Sequence, residues 1–148
     1  MNDAITLSPL QLKQLIYTRV RIDAYEPENF TEEFWGPNFD FEGVGINIQV
    51  GLPGSDDEHP IEHIVNLRFA ISNSAKLHKK SPYTIDIEAQ AHFELAPNFR
   101  EGDIIEREKI VRVNGASIIL GSVRDMIHLL TARSMYGPIT VPTLKFAP

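Results

Sequence analysis

Residues 61–95 read IEHIVNLRFAISNSAKLHKKSPYTIDIEAQAHFEL, and this stretch contains two segments in which alternate positions are mostly apolar. Alternation with a period of two is typical of a β-strand that buries one face. A polar segment ending at Pro82 separates the two and predicts a turn. The stretch therefore predicts two consecutive antiparallel strands. Their inward faces are formed by Ile61, His63, Val65, Leu67, Phe69 and Ile71, and by Tyr83, Ile85, Ile87, Ala89, Ala91, Phe93 and Leu95.

Two further strands are predicted before this pair. In residues 12–25 apolar and charged side chains alternate, which indicates a half-buried strand. Residues 39–52 read as a second strand whose apolar phase changes, and a bulge at residues 43–45 would reconcile the two phases. Residues 26–40 contain prolines and several aromatic residues, as in a long loop pinned by aromatic side chains. Four successive strands without an intervening helix predict an antiparallel sheet.

The pattern becomes helical after residue 100. The segment REGDIIEREKIVRVNG, which begins at Arg100, predicts a short charged helix. Asn114 is placed to cap a second helix that runs from Gly115 to about Arg133. At 100° per residue, the apolar side chains of this second helix cover roughly half of its circumference or more. They are Ala116, Ile118, Ile119, Leu120, Val123, Met126, Ile127, Leu129 and Leu130.

One sheet does not cover so wide an apolar arc. We therefore expect the helix to pack on the same helix of another subunit, through the stripe Ile118, Ser122, Met126 and Leu129. The alternative is a helix enclosed within a single chain. The following segment, SMYGPITVPTLKFAP, is rich in proline and predicts an extended strap along the domain. The fold class is thus α+β, in one domain over residues 1–148.

Composition narrows the classes of partner. A net charge of −6 and the lack of a basic run argue against nucleic acid, whose binding depends on Lys and Arg. The start of the chain does not resemble a signal peptide, and no apolar run approaches the length of a membrane span. The chain has no cysteine, which suits the cytoplasm and removes thiol chemistry.

Motifs for catalysis are not recognisable. The sequence has neither a GxSxG elbow nor a GxxxxGK phosphate loop. The densest candidate metal cluster joins His59 and His63 with the acidic residues 56–58, but Pro60 separates the two histidines. His92 and His128 fall on polar faces, where solvated histidines are the usual reading. We expect no enzyme activity, no cofactor and no metal.

Both ends of the chain resemble the SecB family of export chaperones. The segment NGASIILGSVRDMIHLLTARSMYGPITVPTLKF is similar to the long helix and proline-containing strap of that family. Leu15-Ile16-Tyr17-Thr18-Arg19 resembles the family's opening strand, and Trp35-Gly36-Pro37 resembles its W-x-P motif. The matching positions near the second end are Asn114, Arg124, Asp125, Arg133, Tyr136, Pro142 and Phe146.

The resemblance implies a four-stranded antiparallel sheet with helices on one face, assembled as a dimer of dimers through the long helices. It also implies ATP-independent binding of unfolded precursor polypeptides and their delivery to the SecA motor. Asp23 and Asp86 match two acidic positions that dock the motor in the family, although Arg19 and Arg21 flank the first. The family usually continues past its terminal Phe into a second helix beside the client groove, so a groove open on one side is expected here.

Loop aromatics suit a protein that binds many sequences, because apolar contacts demand few particular polar groups. We expect a client groove lined by Phe30, Phe34, Trp35, Tyr136 and Phe146. The alternative is that these rings pin the loop to the core. Three rival functions stay open: a SecB-like chaperone for an antitoxin, a small-molecule-binding domain or enzyme, and an assembly partner of one fixed protein.

Overall fold

One antiparallel sheet organises the molecule. The computed structural model describes residues 4–26, 32–53, 62–74, 79–100 and 103–146. Within these residues the sheet has four strands in the order β1-β4-β3-β2. Their bounds are Leu10–Ala24 for β1, Ile46–Gly51 for β2, Glu62–Ile71 for β3 and Tyr83–Leu95 for β4.

The central strands β3 and β4 follow the predicted alternation. In β4 every second residue from Tyr83 to Leu95 is buried, and the residues between them are half-buried. In β3, Val65, Leu67, Phe69 and Ile71 are buried. The prediction for these strands is confirmed for the described residues, and Ile61 lies outside them.

The edge strand β1 departs from simple alternation. Its pairing with β4 shifts register between Leu12 and Gln14 and again between Tyr17 and Arg19. Each irregularity changes which residues face the core, as an extra residue in one strand does. Leu15, Tyr17, Ile22 and Ala24 therefore pack on the core. The alternation predicts Val20 on the same side as Ile22 and Ala24, and this was wrong, since Val20 is 44% exposed.

The second strand is shorter than predicted. It begins at Ile46, and Phe39 and Phe41 precede it in a turn where their rings meet edge to face at 4.9 Å. Gly43 has φ +85°, a left-handed conformation that suits glycine. The prediction of a strand from Phe39 with a bulge at residues 43–45 was wrong, because the phase change marks this turn.

The helical region is also organised differently from the prediction. After a single turn, α1 (Pro97–Arg100), one helix α2 runs from Ile104 to Thr131. Its cap is Asp103, whose carboxylate accepts a hydrogen bond from the N–H of Ile105 at 3.1 Å. Asn114, predicted as a cap, lies exposed in the middle of α2.

The hydrophobic core lies between the sheet and α2. Its members on α2 include Ala116, Ile119, Leu120, Val123 and Ile127, all on the predicted face. The strap, residues 138–146, follows the helix without regular secondary structure and adds the buried residues Ile139 and Val141. The predicted fold class, a four-stranded antiparallel sheet with a long helix on one face, is confirmed. Among the described helices none is long and apolar enough to cross a membrane.

Candidate peptide-binding site

The site is built around the turn that joins α2 to the strap. Tyr83, the first residue of β4, reaches this turn with its hydroxyl group. The hydroxyl donates to the carbonyl of Gly137 at 2.7 Å and accepts from the N–H of Tyr136 at 2.9 Å. Gly137 has φ +77°, so the turn needs glycine there. The strap therefore leaves the helix in a direction fixed by the sheet.

Four aromatic rings surround this turn and form an aromatic cluster, defined as Tyr25, Phe34, Tyr83 and Tyr136. The Tyr136 ring centroid lies 5.9 Å from that of Tyr83 and 5.8 Å from that of Phe34. Phe34 meets Tyr25 edge to face at 5.5 Å. Burial raises the pKa of both Tyr83 and Tyr136. Both phenols are therefore neutral at physiological pH, and the Tyr136 hydroxyl donates to the carbonyl of Tyr25.

The Trp35-Gly36-Pro37 segment packs against the same turn and is hydrogen-bonded to it. The N–H of Gly36 donates to the carbonyl of Tyr136 at 2.7 Å. A β-carbon on Gly36 would lie 2.5 Å from the carbonyl oxygen of Pro138, so only glycine permits this approach. The Trp35 ring lies beside Gly137, at 3.6 Å from the position of a β-carbon there, and 48% of Trp35 is exposed. The backbone beside Trp35 is thus hydrogen-bonded to the turn, while about half of the tryptophan is exposed to solvent.

The structure brings together some of the predicted groove residues and separates others. Phe34 and Trp35 both lie at the turn. Tyr136 lies there too, but it is 0% exposed and its ring packs inside the cluster, so its role as a client contact stays a prediction. Phe146 is half-buried against the core at the far end of the strap. Phe30 lies outside the described residues.

Side chains of α2 hold the backbone of the strap. The Arg124 guanidinium donates to the carbonyl of Val141 from Nε at 2.9 Å and from Nη2 at 2.7 Å. The Thr131 hydroxyl accepts from the N–H of Ile139 at 3.0 Å. Between them, His128 Nδ1 lies 3.3 Å from the Thr140 hydroxyl. The extended strap therefore lies along one stripe of the helix.

The outer face of the sheet carries an ion-pair network. Arg68 binds Asp86 with two hydrogen bonds of 2.9 and 3.0 Å, and Arg19 contacts the same carboxylate at 3.1 Å. The hydrogen bonds from Arg68 hold the pKa of Asp86 below its usual value. Asp23 is more exposed and pairs with Arg21 at 2.9 Å. Arg19 and Arg68 also contact Glu88, at 3.4 and 3.7 Å, so two arginines are shared by two carboxylates. Of the two acidic positions predicted to dock a motor, Asp86 is thus the one contacted by two arginines.

The helix stripe predicted as an oligomer interface lies on the β1 side of α2. The Ser122 hydroxyl is hydrogen-bonded to that of Tyr17 on β1 at 2.6 Å. Met126 is half-buried. Ile118 and Leu129, at the two ends of the stripe, are 37% and 73% exposed. Part of the stripe is therefore used within the chain, and its ends are free to contact another surface.

Two other candidate sites are a pocket on the outer face of the sheet and the predicted metal cluster. A pocket of about 370 Å³ on the outer face is lined by residues that include Gln49, Arg68 and Ser72. Arg68, its one charged lining residue, is already paired with Asp86. No group of three metal-ligating residues occurs in the described ranges, and the predicted cluster around His59 lies outside them.

Sequence reasoning missed the anchoring partners of the site. Tyr25 and Tyr83 were read only as strand residues, because alternation says which way a side chain faces and not what its hydroxyl bonds. The role of Gly36 depends on backbone from residues 136–138, about one hundred positions away. The signals present were the aromatic residue at the start of β4 and the glycine after Trp35.

The four-stranded antiparallel sheet with the long helix α2 packed on one face is a SecB-like fold. Neither a family model nor a curated protein matches the sequence. Among solved structures, the chain is similar to the SecB-like chaperone Rv1957 of Mycobacterium tuberculosis, in complex with a ChAD peptide from the Rv1956 HigA1 antitoxin. The TM-score is 0.57 at 16% identity, over 95% of this chain and 94% of that one. A protein of unknown function from Streptococcus agalactiae matches with a TM-score of 0.47 at 17% identity, over 90% and 97%.

Proposed function

We propose that the protein is an ATP-independent holdase that binds unfolded polypeptides in the cytoplasm. The observation that carries the proposal is the half-exposed Trp35, whose ring lies beside Gly137 and whose neighbour Gly36 is hydrogen-bonded to the carbonyl of Tyr136. A fixed aromatic surface binds apolar client side chains with a small loss of conformational entropy. The SecB-like fold supports the proposal, since the Mycobacterium tuberculosis protein of this fold holds a peptide.

A single site of this kind should bind weakly. Each well-buried apolar client side chain contributes roughly 1.5–3 kcal/mol, and association costs several kcal/mol in lost freedom. Several sites on one oligomer raise the effective concentration for a long client. The proposal therefore includes a homo-oligomer, a dimer of dimers, in which the exposed ends of the helix stripe contact other subunits.

Two classes of client fit this activity. One is precursors for Sec export, handed to SecA, and the other is an antitoxin. Asp86 is engaged by Arg68 and Arg19, which leaves Asp23 as the less neutralised of the two acidic positions for a motor. This arrangement, together with the antitoxin peptide bound by Rv1957, favours the antitoxin class.

The test compares Trp35→Ala with Ile105→Ala, a change of another exposed apolar residue at the start of α2. Light scattering first gives the mass of each protein, and suppression of aggregation of reduced α-lactalbumin without ATP then measures capture. We expect Trp35→Ala to weaken capture with a small change in melting temperature, and Ile105→Ala to leave capture unchanged. A large loss of stability with unchanged capture per folded molecule would assign Trp35 to the core.

A small-molecule-binding function is the second candidate, because of the pocket beside Arg68. It requires saturable binding of one ligand per chain, which calorimetry detects. Substitution of Gln49 by Leu would abolish such binding and leave α-lactalbumin capture unaffected.

A further inference from the structure

The strap is bound by its own helix in the way that a protein binds a foreign peptide. Three hydrogen bonds join its main chain to side chains of α2. Arg124 donates two to the carbonyl of Val141, and the Thr131 hydroxyl accepts one from the N–H of Ile139. Thr131 is suited to this contact, because its hydroxyl donates to the carbonyl of Ile127 at 2.6 Å and accepts from the strap. None of these contacts depends on a polar side chain of the strap.

The side chains of the strap alternate in the same way as those of a bound extended peptide. Ile139 and Val141 are fully buried, while Thr140 and Pro142 point outward and are exposed. The described strap residues belong to no strand, so a β-ladder does not hold them. The strap is thus held by main-chain hydrogen bonds, by the apolar side chains of Ile139, Val141, Leu144 and Phe146, and by two polar contacts, His128 with Thr140 and Arg124 with Thr143. Of these, the main-chain hydrogen bonds and the two fully buried apolar side chains, two positions apart, are features that most unfolded polypeptides can supply.

We infer that residues 138–146 are a removable occupant of a client groove along α2. When the strap detaches, an extended client segment with two apolar residues at positions i and i+2 takes the places of Ile139 and Val141. Arg124 and Thr131 then bind the client's main chain. The inference rests on the proposed function and adds the client's pattern and an internal competitor that limits access to the groove.

Competition from the strap also predicts selectivity. An occupant attached to the same chain acts at an effective concentration in the millimolar range. A short apolar peptide at micromolar concentration should therefore displace it poorly. A long unfolded chain that also contacts Trp35 and other subunits has the additional binding energy needed to displace it.

The first experiment locks the strap in place. The chain has no cysteine, and the exposed side chains of His128 and Thr140 lie 3.3 Å apart. Cysteines at these two positions, joined by a short bifunctional thiol reagent, would fix the strap on the helix. The control is the same double variant with its two thiols capped separately. We expect capture of reduced α-lactalbumin to fall at least tenfold in the linked protein, and equal capture by the linked and capped proteins would overturn the inference.

The second experiment measures the affinity of the groove for a strap peptide in the absence of a client. A fluorescein-labelled peptide GPITVPTLKF, the sequence of residues 137–146, is titrated with Val141→Asp and with Thr140→Asp. Both variants add one negative charge to the strap, but only Val141 faces inward. We expect Val141→Asp to bind the peptide at least tenfold more tightly than Thr140→Asp does, and the linked protein not to bind it. Equal affinities of the two variants would contradict a removable strap.

The two experiments separate the inference from the proposed function. If the capped control captures no α-lactalbumin, the holdase proposal fails and the peptide titration alone decides whether the groove exists. If Val141→Asp does not fold, the comparison of linked and capped proteins decides. A linked product of twice the chain mass would show that the groove holds the strap of a second copy. That result would overturn the inference that the strap of the same chain occupies the groove.

Discussion

The phenol oxygen of Tyr83 lies 2.9 Å from the backbone nitrogen of Tyr136, and their ring centroids are 5.9 Å apart. This pair joins the first residue of β4 to the turn after α2, fifty-three positions later in the chain. Because the same hydroxyl also donates to Gly137, a single oxygen satisfies two buried main-chain groups of the turn. The position of the strap therefore depends on one side chain of the central sheet.

Tyr83→Phe should destabilise the protein by about 1–3 kcal/mol, since it leaves a buried N–H and a buried carbonyl without their partner. Urea unfolding at pH 7 measures the free energy of unfolding. Tyr17→Phe is the control, because it removes the hydrogen bond to the half-buried Ser122 hydroxyl and leaves no main-chain group unpaired. A loss in Tyr83→Phe no greater than that in Tyr17→Phe would show that water replaces the hydroxyl.

Gly36→Ala should separate the Trp35-Gly36-Pro37 segment from the turn. The new methyl group would meet three main-chain carbonyl oxygens at 2.5–2.9 Å, and backbone does not move aside as a flexible side chain does. We expect a loss of about 1–3 kcal/mol and a red shift in the emission of the single tryptophan. Gly51→Ala, whose methyl group would meet ordinary contacts at 3.8 Å, should change neither quantity appreciably.

Two glycines of α2 should respond in opposite directions to alanine. At Gly115 a β-carbon would lie 3.0 Å from Val65 and 3.2 Å from Phe93, both fully buried, so Gly115→Ala should destabilise by about 1–3 kcal/mol. At Gly121 no atom lies within 4 Å, so Gly121→Ala should stabilise by about 0.5–1 kcal/mol through helix propensity. Thermal unfolding of the two variants tests the pair. Stabilisation by both changes would mean that the helix shifts easily away from the sheet.

The Arg68–Asp86 pair predicts a pH dependence of stability. A carboxyl group whose pKa is lower in the folded state stabilises that state above its usual pKa, which is 3.8 for Asp86, and this contribution is lost as the pH falls through the lower folded value. The stability difference between wild type and Asp86→Asn should therefore be present at pH 7 and shrink below pH 3.8. Asp23→Asn, at a more exposed ion pair, should show a smaller difference. A difference that is independent of pH would exclude the charge as its cause.

Leu129→Lys should reduce the oligomer mass measured by light scattering. Leu129 is largely exposed in the single chain, so a charge there costs little unless another subunit covers the residue. Ile105→Lys makes the same change at an equally exposed position outside the stripe and should leave the mass unchanged. An unchanged mass in both variants would remove Leu129 from the interface.

The central sheet could be predicted from sequence, but the break in the helix was wrong. In β3 and β4 both neighbours of each strand are strands, so burial follows the two-residue period without interruption. Asn114 was read as the cap of a second helix that begins at Gly115, because asparagine is a preferred residue at that position. In the structure Gly115 is needed for close packing against Val65 and Phe93, so tertiary contact outweighs local preference.

The candidate site could be predicted only in part for the same physical reason. Composition marked Phe34 and Trp35 as loop aromatics, and it could not show that Tyr136 is enclosed by Tyr83 and Phe34. The contact of Arg124 with the carbonyl of Val141 leaves no pattern in either segment, because any residue supplies a carbonyl. Contacts to main-chain groups cannot be predicted from a sequence pattern, and most contacts in this site are of that kind.

The pairing of β1 with β4 sets the order in which the chain can assemble. Strands β2, β3 and β4 are neighbours in sequence as well as in the sheet, so they can associate while β1 is still unpaired. Leu10 must wait for Leu95, and closing a loop of that length slows folding. During synthesis, which proceeds from the N-terminus, β1 is made before β2, β3 and β4, so its native pairing must await the synthesis of β4. The longest of the described strands is thus the one that stays without its native partner for the greatest length of synthesis.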